Sequence, residues 1–294
     1  MSGPERRTMR EPRTRTFDVI CAGEARVSVA LRDGRAEQQR VRFRPGGGAM
    51  NAALALATEG LRVGLASVLT DDSSGRSLLT KLTASGVDID GVQMAQPTRS
   101  LVFVRGGARQ VVSSREEQQP IAVPERWSSR VLLLSGMSPV VSHAAALCKA
   151  ARAARRAGAA VVVDVNAMWP VWQGRDARTI RMVLREADVV WCRAEDLFAL
   201  NMDVTTLRAA LRPTAVSVSS DGAGRAWATG PFGEIAHSQE GSPASLPLHE
   251  GDAFTVAICE ELARVGHADE RGGLLWERVL KRAHAAVLEL RARS

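Results

Sequence analysis

The stretch Pro45-Gly-Gly-Gly-Ala-Met-Asn-Ala-Ala-Leu-Ala-Leu-Ala-Thr-Glu-Gly60 decides how the rest of the chain is interpreted. A glycine turn opens directly into an alanine-rich helix, and Asn51 stands one turn inside that helix. Gly46, Gly47 and Gly48 allow the backbone to approach a ligand closely because they carry no Cβ. The amide of Asn51 offers a donor and an acceptor at the same place. We therefore predict that this turn and Asn51 bind a polyhydroxyl compound.

The motifs that follow make the glycine turn more specific. A short apolar strand containing Val63 precedes Thr70-Asp-Asp-Ser-Ser-Gly75, and a helix then leads to Gly86-Val-Asp88. In this order and at these distances they closely resemble the first signature of the ribokinase-like (PfkB) sugar-kinase family. The resemblance covers roughly residues 17–290. It implies a ribokinase-like three-layer α/β/α domain with a mostly parallel central sheet and a small β lid, and an ATP-dependent transfer of phosphate to a sugar or sugar acid.

A second segment, Leu246-Pro-Leu-His-Glu-Gly-Asp-Ala-Phe254, resembles the family signature D-T-x-G-A-G-D-x-F. The resemblance makes Asp252 the general base, which takes the proton from the attacking hydroxyl. It places the transferred phosphoryl group on the amides around Gly251, at the start of a helix. His249 and Glu250 stand where the family has Gly and Ala. A carboxylate at this position would repel a phosphate, so we expect weak ATP binding.

Two further positions belong to the substrate side in the family. Ser28 stands where the opening motif of the family has a sugar-binding aspartate. The segment Asp164-Val-Asn-Ala-Met-Trp-Pro-Val-Trp172 resembles D-P-N-x-R-x-x-x-W of the 2-keto-3-deoxygluconate kinase branch. It keeps Asn166, whereas Met168 replaces the arginine. The resemblance therefore implies that Ser28 and Asn166 face the substrate, together with the glycine turn and Asn51.

The resemblance also assigns a nucleotide side, and it implies ATP and Mg²⁺ as cofactors. The segment Ser217-Val-Ser-Ser-Asp-Gly222 resembles the nucleotide loop T-x-G-x-x-G, with Ser219 in place of the first glycine. His284 lies in the counterpart of a late A-N-A motif beside the adenine. Glu195 is the acid of the magnesium-linked N-x-x-E region, and it would hold the ion through water. The implied nucleotide contacts are Ser217, Ser219, Gly222, His249, Glu250 and His284.

The altered ligand-facing positions leave a second class of function open. A pseudokinase of the same fold would bind a ligand or regulate a partner without transferring phosphate. A nucleoside kinase is less favoured, because the tryptophan-bearing segment at 164–172 resembles the sugar-acid branch.

Composition argues against other classes of protein. The formal net charge is +7, but arginine outnumbers lysine 36 to 3, and residues 1–16 hold five arginines against two glutamates. We expect those residues to form a disordered basic tail. The other arginines alternate with acids on helices, which indicates a solvated face and no nucleic-acid binding. No apolar run approaches the roughly 18 residues of a membrane span, no signal peptide is visible, and four scattered cysteines indicate a cytoplasmic protein.

Apolar strands alternate with amphipathic helices, which predicts a mostly parallel sheet covered on both faces. We assign residues 17–294 to one domain. The segments 26–44 and 99–113 break the alternation and are predicted to be hairpins of the lid. Their strand edges would be unpaired in a monomer, so we expect a homodimer through the lid. The other predicted strands are 17–22, 131–135, 160–164, 188–192 and 215–219, and the predicted helices are about 142–156, 177–186, 251–265 and 273–291.

Overall fold

A computed structural model describes residues 15–31, 41–95, 100–105, 108–113, 120–167, 178–221, 224–239, 250–265 and 272–292. The strands are β1 (Arg15–Gly23), β2 (Arg26–Leu31), β3 (Val41–Gly46), β4 (Val63–Thr70), β5 (Asp88–Ala95), β6 (Ser100–Arg105), β7 (Ala108–Ser113), β8 (Trp127–Ser135), β9 (Ala160–Asp164), β10 (Val189–Arg193), β11 (Val216–Ser220), β12 (Arg225–Gly230) and β13 (Gly233–Ser238). The helices are α1 (Gly48–Thr58), α2 (Ser73–Ala84), α3 (Met137–Arg156), α4 (Arg178–Leu184), α5 (Ala194–Ala199), α6 (Val204–Ala210), α7 (Glu250–Val265) and α8 (Gly272–Ala292).

Nine strands form the central sheet, in the order β13-β12-β11-β10-β9-β8-β1-β4-β5. The strands from β11 to β5 all run parallel, and the hairpin of β12 and β13 adds two antiparallel strands at one end. Helices connect most of the parallel strands, as crossover connections require. The predicted mostly parallel sheet is confirmed.

Helices cover both faces of this sheet, because its central strands are apolar on both sides. Val19 and Cys21 of β1 pack with one layer, formed by α1, α2, α7 and α8. Ile20, between them, packs with the other layer, formed by α3 to α6. Trp191 of β10 stacks on Phe254 of α7 with ring centroids 4.3 Å apart. The three-layer α/β/α architecture is therefore confirmed, and α7 is held directly against the middle of the sheet.

A second sheet of four strands, in the order β3-β2-β6-β7, lies outside this layered body. The segments 26–44 and 99–113 each contribute an antiparallel pair, and β2 and β6 join the two pairs in parallel. The predicted small β sheet is thus confirmed, although residues 106 and 107, between β6 and β7, lie outside the described residues.

Several boundaries differ from the sequence-based expectation. Helix α3 begins at Met137 rather than near Ser142, since Gly136 takes a positive φ of 84° and Pro139 is tolerated in a first helical turn. Strand β1 begins at Arg15, two residues inside the predicted tail, and residues 1–14 lie outside the described part. Strand β11 continues to Ser220, so most of the predicted nucleotide loop is a strand.

The four cysteines are free and buried. In the described ranges, none of the helices has the length and apolar character needed to cross a membrane.

Candidate active site

The site is built on three parallel strands that end at the same edge of the sheet. Gly23 of β1 pairs with Ser135 of β8, and Ser135 pairs with Asp164 of β9. Strand β1 lies between β4 and β8 in the sheet, so β4 pairs with it on one side and β8 pairs with it on the other. Ligands of open α/β sheets bind at such a point, beyond the carboxyl ends of the strands. The Glu24 backbone ties this edge together, because its N–H donates to the Ser135 carbonyl and its carbonyl accepts from the Met50 N–H.

The predicted glycine turn lies directly above this edge. Gly47 has a φ of 91°, and a Cβ there would lie 2.3 Å from the Glu24 carbonyl oxygen. A Cβ on Gly48 would lie 2.1 Å from the Ser135 hydroxyl oxygen and 2.8 Å from Nδ2 of Asn166. Gly46 is the last residue of β3. The turn therefore joins the lid to the site, and it brings Asn166 against Gly48.

Asn51 and Asp252 meet although 201 residues separate them. The Asn51 Nδ2 donates a hydrogen bond of 3.0 Å to Oδ2 of Asp252. Asn51 lies in the first turns of α1, and Asp252 lies in the first turn of α7 beside Gly251. Both side chains are half-buried. The two motifs that the sequence singled out thus contribute to one site.

A buried carboxylate that was not among the predicted site residues lies beneath them. Asp164, at the end of β9, is 2% exposed and accepts a hydrogen bond of 2.6 Å from the Ser135 hydroxyl. Burial raises the pKa of Asp164 to about 7, and the negative charges of Asp196 and Asp252 act in the same direction. The Ser135 hydrogen bond and the Arg193 charge oppose this rise in pKa. Asp164 thus titrates near neutral pH.

Asp196 connects two parts of the site. It is fully buried and accepts hydrogen bonds from the backbone N–H of Ala167 at 2.7 Å and of Arg193 at 2.8 Å. Ala167 follows Asn166, which is held in the left-handed region with a φ of 36°. Glu195, the predicted metal ligand, is the preceding residue and is exposed on the first turn of α5. Asp196 is therefore the carboxylate of this helix that bonds directly to the backbone of the site, whereas Glu195 faces solvent.

The predicted nucleotide contacts lie in regular structure. Ser217 is buried within β11, and its hydroxyl donates to the Thr229 carbonyl at 3.4 Å. Ser219, half-buried, pairs with Trp227. Gly222 and His249 lie outside the described residues. The side chains of Ser28 and Glu250 also lie outside the described part.

His284 of α8 belongs to a pair of histidines. Its Nδ1 lies 2.7 Å from Nδ1 of His237 on β13, and the ring meets Phe254 edge-on at 5.4 Å. Burial lowers the pKa of His284 to about 4, and the nearby His237 lowers it further, while Asp221 opposes this shift. His284 is thus neutral at physiological pH.

Residues 16–227 match the family described as pfkB family carbohydrate kinase. The chain belongs to this family. The match runs from β1 to the first half of β12, so it includes the glycine turn and Asp196, whereas Asp252 lies beyond it. The predicted closer likeness to the 2-keto-3-deoxygluconate kinase branch stays a prediction.

Several solved structures resemble most of the chain. A PfkB protein from Polaromonas sp. JS666 is 26% identical, with a TM-score of 0.70 over 92% of this chain and 96% of that one. Aminoimidazole riboside kinase from Salmonella enterica is 20% identical, with a TM-score of 0.73 over 92% of each chain. A fructokinase from Xylella fastidiosa, solved with bound ATP, is 21% identical, with a TM-score of 0.70 over 92% of this chain and 90% of that one. These likenesses agree with the ribokinase-like fold.

Proposed function

We propose that this protein is an ATP-dependent kinase that phosphorylates a hydroxyl group of a sugar or sugar acid. The hydrogen bond between Asn51 and Asp252 carries the proposal. It places an amide suited to polyhydroxyl compounds within 3.0 Å of a carboxylate suited to proton abstraction. The family, whose members are carbohydrate kinases by description, agrees with this chemistry.

The residues suggest how the acceptor is activated. The glycine turn and Asn51 would hold the sugar, with Asn166 and Ser28 on the same side. The Asp252 carboxylate accepts the proton of the attacking hydroxyl, and the hydroxyl oxygen forms a bond to the γ-phosphorus of ATP. The bond from that phosphorus to the bridging oxygen breaks, and ADP leaves with the electron pair. The backbone around Gly251 faces the group being transferred, at the amino end of a 16-residue helix.

Two buried polar atoms support a nucleotide at the far end of the site. The hydroxyl oxygen of Ser220, the last residue of β11, has no hydrogen-bond partner within the described residues. The same holds for Nε2 of His284. Such atoms are uncommon in folded proteins, and a bound ligand is one way to satisfy them. The end of β11 and the His284 region would therefore hold the nucleoside of ATP.

Mg²⁺ would bind with the phosphates of ATP. Among the described residues, no group of three histidine, cysteine or acidic side chains is arranged to hold a metal by itself. Protein sites for Mg²⁺ with nucleotides commonly use one or two carboxylates, water and the phosphates, so the residues fit this mode. Glu195 is exposed, and it would hold the hydrated ion through water. When bound, the ion screens the negative charge of the phosphates.

Replacing Asp252 with Asn tests the proposal. The amide has the shape of the carboxylate and still accepts the Asn51 hydrogen bond, so the fold should be retained. Phosphoryl transfer should fall by about 10²–10⁴-fold, the range for loss of a general base. Glu261→Gln on the same helix is the matched control, since Glu261 pairs with Arg278 away from the site. A panel of sugars, sugar acids and nucleosides with Mg-ATP provides the substrates.

The same assay distinguishes the proposed kinase from a pseudokinase, which would bind its ligand without turnover. Neither the family match nor the neighbours named as kinases support that alternative. A sugar that binds in the pocket but is never phosphorylated would overturn the proposed activity. Activity that survives Asp252→Asn would leave the class intact and remove Asp252 as the base.

We further propose that the protein forms a homodimer through the four-stranded sheet. Its outer strands, β3 and β7, each pair with one neighbour among the described strands. Unpaired edges favour association with another strand. Light scattering at micromolar concentration should give twice the mass of the 31.5 kDa chain. A monomer under those conditions would refute the homodimer.

A further inference from the structure

One arginine lies against the start of helix α7. Arg193 is the last residue of β10, and its guanidinium passes beside Gly251. Three of its atoms, Cζ, Nε and Nη1, lie 3.8 Å from the point where a Cβ on Gly251 would stand. The guanidinium therefore lies close to the turn that carries Asp252, at a distance where a side chain on residue 251 would touch it.

The guanidinium is fixed on one side and open on the other. Its Nε and Nη2 each donate to Asp196 at 3.3 Å, with one nitrogen bonded to each carboxylate oxygen. Its Nη1 makes no hydrogen bond to any residue in the described ranges. The Asp196 side chain is fully buried, whereas the Arg193 side chain is 23% exposed. The Nη1 edge of the guanidinium thus remains available to a ligand in the site.

The negative charges around the site explain why a positively charged Arg193 would be needed to bind a phosphate there. Asp164, Asp196 and Asp252 are three carboxylates at the same edge of the sheet, and Asp196 is matched by Arg193. An incoming phosphate faces the remaining carboxylates, and unit charges about 4 Å apart repel by several kcal/mol in a protein environment. A guanidinium pairs well with phosphate oxygens and cannot lose its proton.

We propose that Arg193 binds the phosphoryl group that is transferred, and that Asp196 is the positioning residue that aims its guanidinium. The inference rests on the proposed kinase function. It adds a residue that the sequence had not indicated as functional, and it explains how an anion is held beside three aspartates. Because Asp196 also binds the backbone after Asn166, it links the phosphate side to the substrate side.

Nucleotide affinity tests this assignment on the full chain. Arg193→Lys keeps the charge and removes the fixed fork of donors. It should weaken ATP binding about 10- to 100-fold, the effect of losing a charged hydrogen bond. ADP, which lacks the transferred group, should bind within about threefold of its affinity for the wild type. Calorimetry measures both constants without requiring turnover.

The other end of the same strand supplies a matched control. Arg212 pairs with Asp188 immediately before β10, and its side chain is 29% exposed. Arg212→Lys should cost comparable stability and leave the ratio of ATP to ADP affinity unchanged. In kinetics, Arg193→Lys should lower kcat and raise the KM for ATP, while the KM for the sugar stays constant. A merely structural loss would move both KM values.

Chemical modification tests the wild-type chain independently of folding in the variants. ATP should protect Arg193 from phenylglyoxal, and ADP should not, with peptide mass spectrometry as the readout. Asp196→Asn, like Arg193→Lys, should lower the ratio of ATP affinity to ADP affinity. An unchanged affinity ratio in Arg193→Lys, or equal protection by ADP and ATP, would refute the role of Arg193 even if sugar phosphorylation is observed. A wild-type chain that binds ATP yet phosphorylates no acceptor would refute the kinase function alone.

Discussion

The proposed acceptor end of the site, at Asn51 and Asp252, and its proposed nucleotide end, at β11 and His284, are built in different ways. At the acceptor end, polar side chains bond directly to one another, as in the pairs Asn51–Asp252 and Ser135–Asp164. The nucleotide end is formed by a strand and a helix whose polar groups bond within the scaffold or to another histidine. Ser217, for example, donates to the backbone of the neighbouring strand.

This difference indicates that the acceptor end is the half of the site that is organised before a ligand binds. At the acceptor end a Cβ would collide with backbone at Gly47 and with the Ser135 and Asn166 side chains at Gly48, so neither position has room for another residue. At the nucleotide end, Ser220 and His284 bury polar atoms without a partner in the described residues. An unsatisfied buried group costs about 1–3 kcal/mol, so this end gains more from binding a polar ligand.

The largest effect should follow from adding a methyl group at the acceptor end. Gly47→Ala combines a positive φ with a Cβ 2.3 Å from the Glu24 carbonyl oxygen. We expect a loss of about 3–5 kcal/mol in the free energy of unfolding, from strain and overpacking together. Gly60→Ala is the control, because Gly60 has a φ of 82° and no atom within 4 Å. Its loss should be about 1–2 kcal/mol in urea unfolding. Equal losses would mean that the contact with Glu24 is unimportant.

A smaller effect of opposite sign should follow at Asp164. Its pKa of about 7 in the folded state exceeds that of an unfolded aspartate, so its ionisation costs stability as the pH rises through 7. Asp164→Asn should therefore stabilise the protein by about 2–4 kcal/mol at pH 8, and the gain should disappear below pH 4. Thermal unfolding at both pH values measures the change.

Asp18 provides the control for that measurement. Burial raises its pKa, but hydrogen bonds from the backbone and side chain of Arg62 lower it below the usual value overall. Asp18→Asn should therefore destabilise the protein at pH 8. A stabilising effect of both variants would indicate a general charge effect rather than the burial of Asp164.

The nucleotide end should show the smallest effect. His284 has a pKa of about 4 when folded, whereas an unfolded histidine titrates near 6.5. The unfolded state binds the proton first, so this stability is present above pH 6.5 and is lost as the pH falls towards 4. Between pH 7 and pH 4 the free energy of unfolding should fall by about 1–3 kcal/mol less in His284→Asn than in the wild type. Parallel pH curves in chemical denaturation would show that His284 does not titrate as proposed.

The sequence alone determined the architecture and the two motifs that meet in the site. Strand and helix periodicity are local patterns, and therefore the parallel sheet and its two helical layers were predictable, whereas the small second sheet was implied by the family resemblance. The glycine turn with Asn51 and the segment with Asp252 were identified by their order and residue types. Their contact across 201 residues then follows from packing α1 beside α7.

Only the tertiary structure decided which other residues enter the site. Nothing local distinguishes Asp196 from Glu195, since they are neighbours on one short helix, and the fold alone buries one and exposes the other. Arg193 and Asp164 end apolar strands, but the register of β8, β9 and β10 places them beside α7 and Ser135. The raised pKa of Asp164 likewise comes from burial and from charges on other elements. Such properties depend on distances between segments far apart in the chain, which no local pattern encodes.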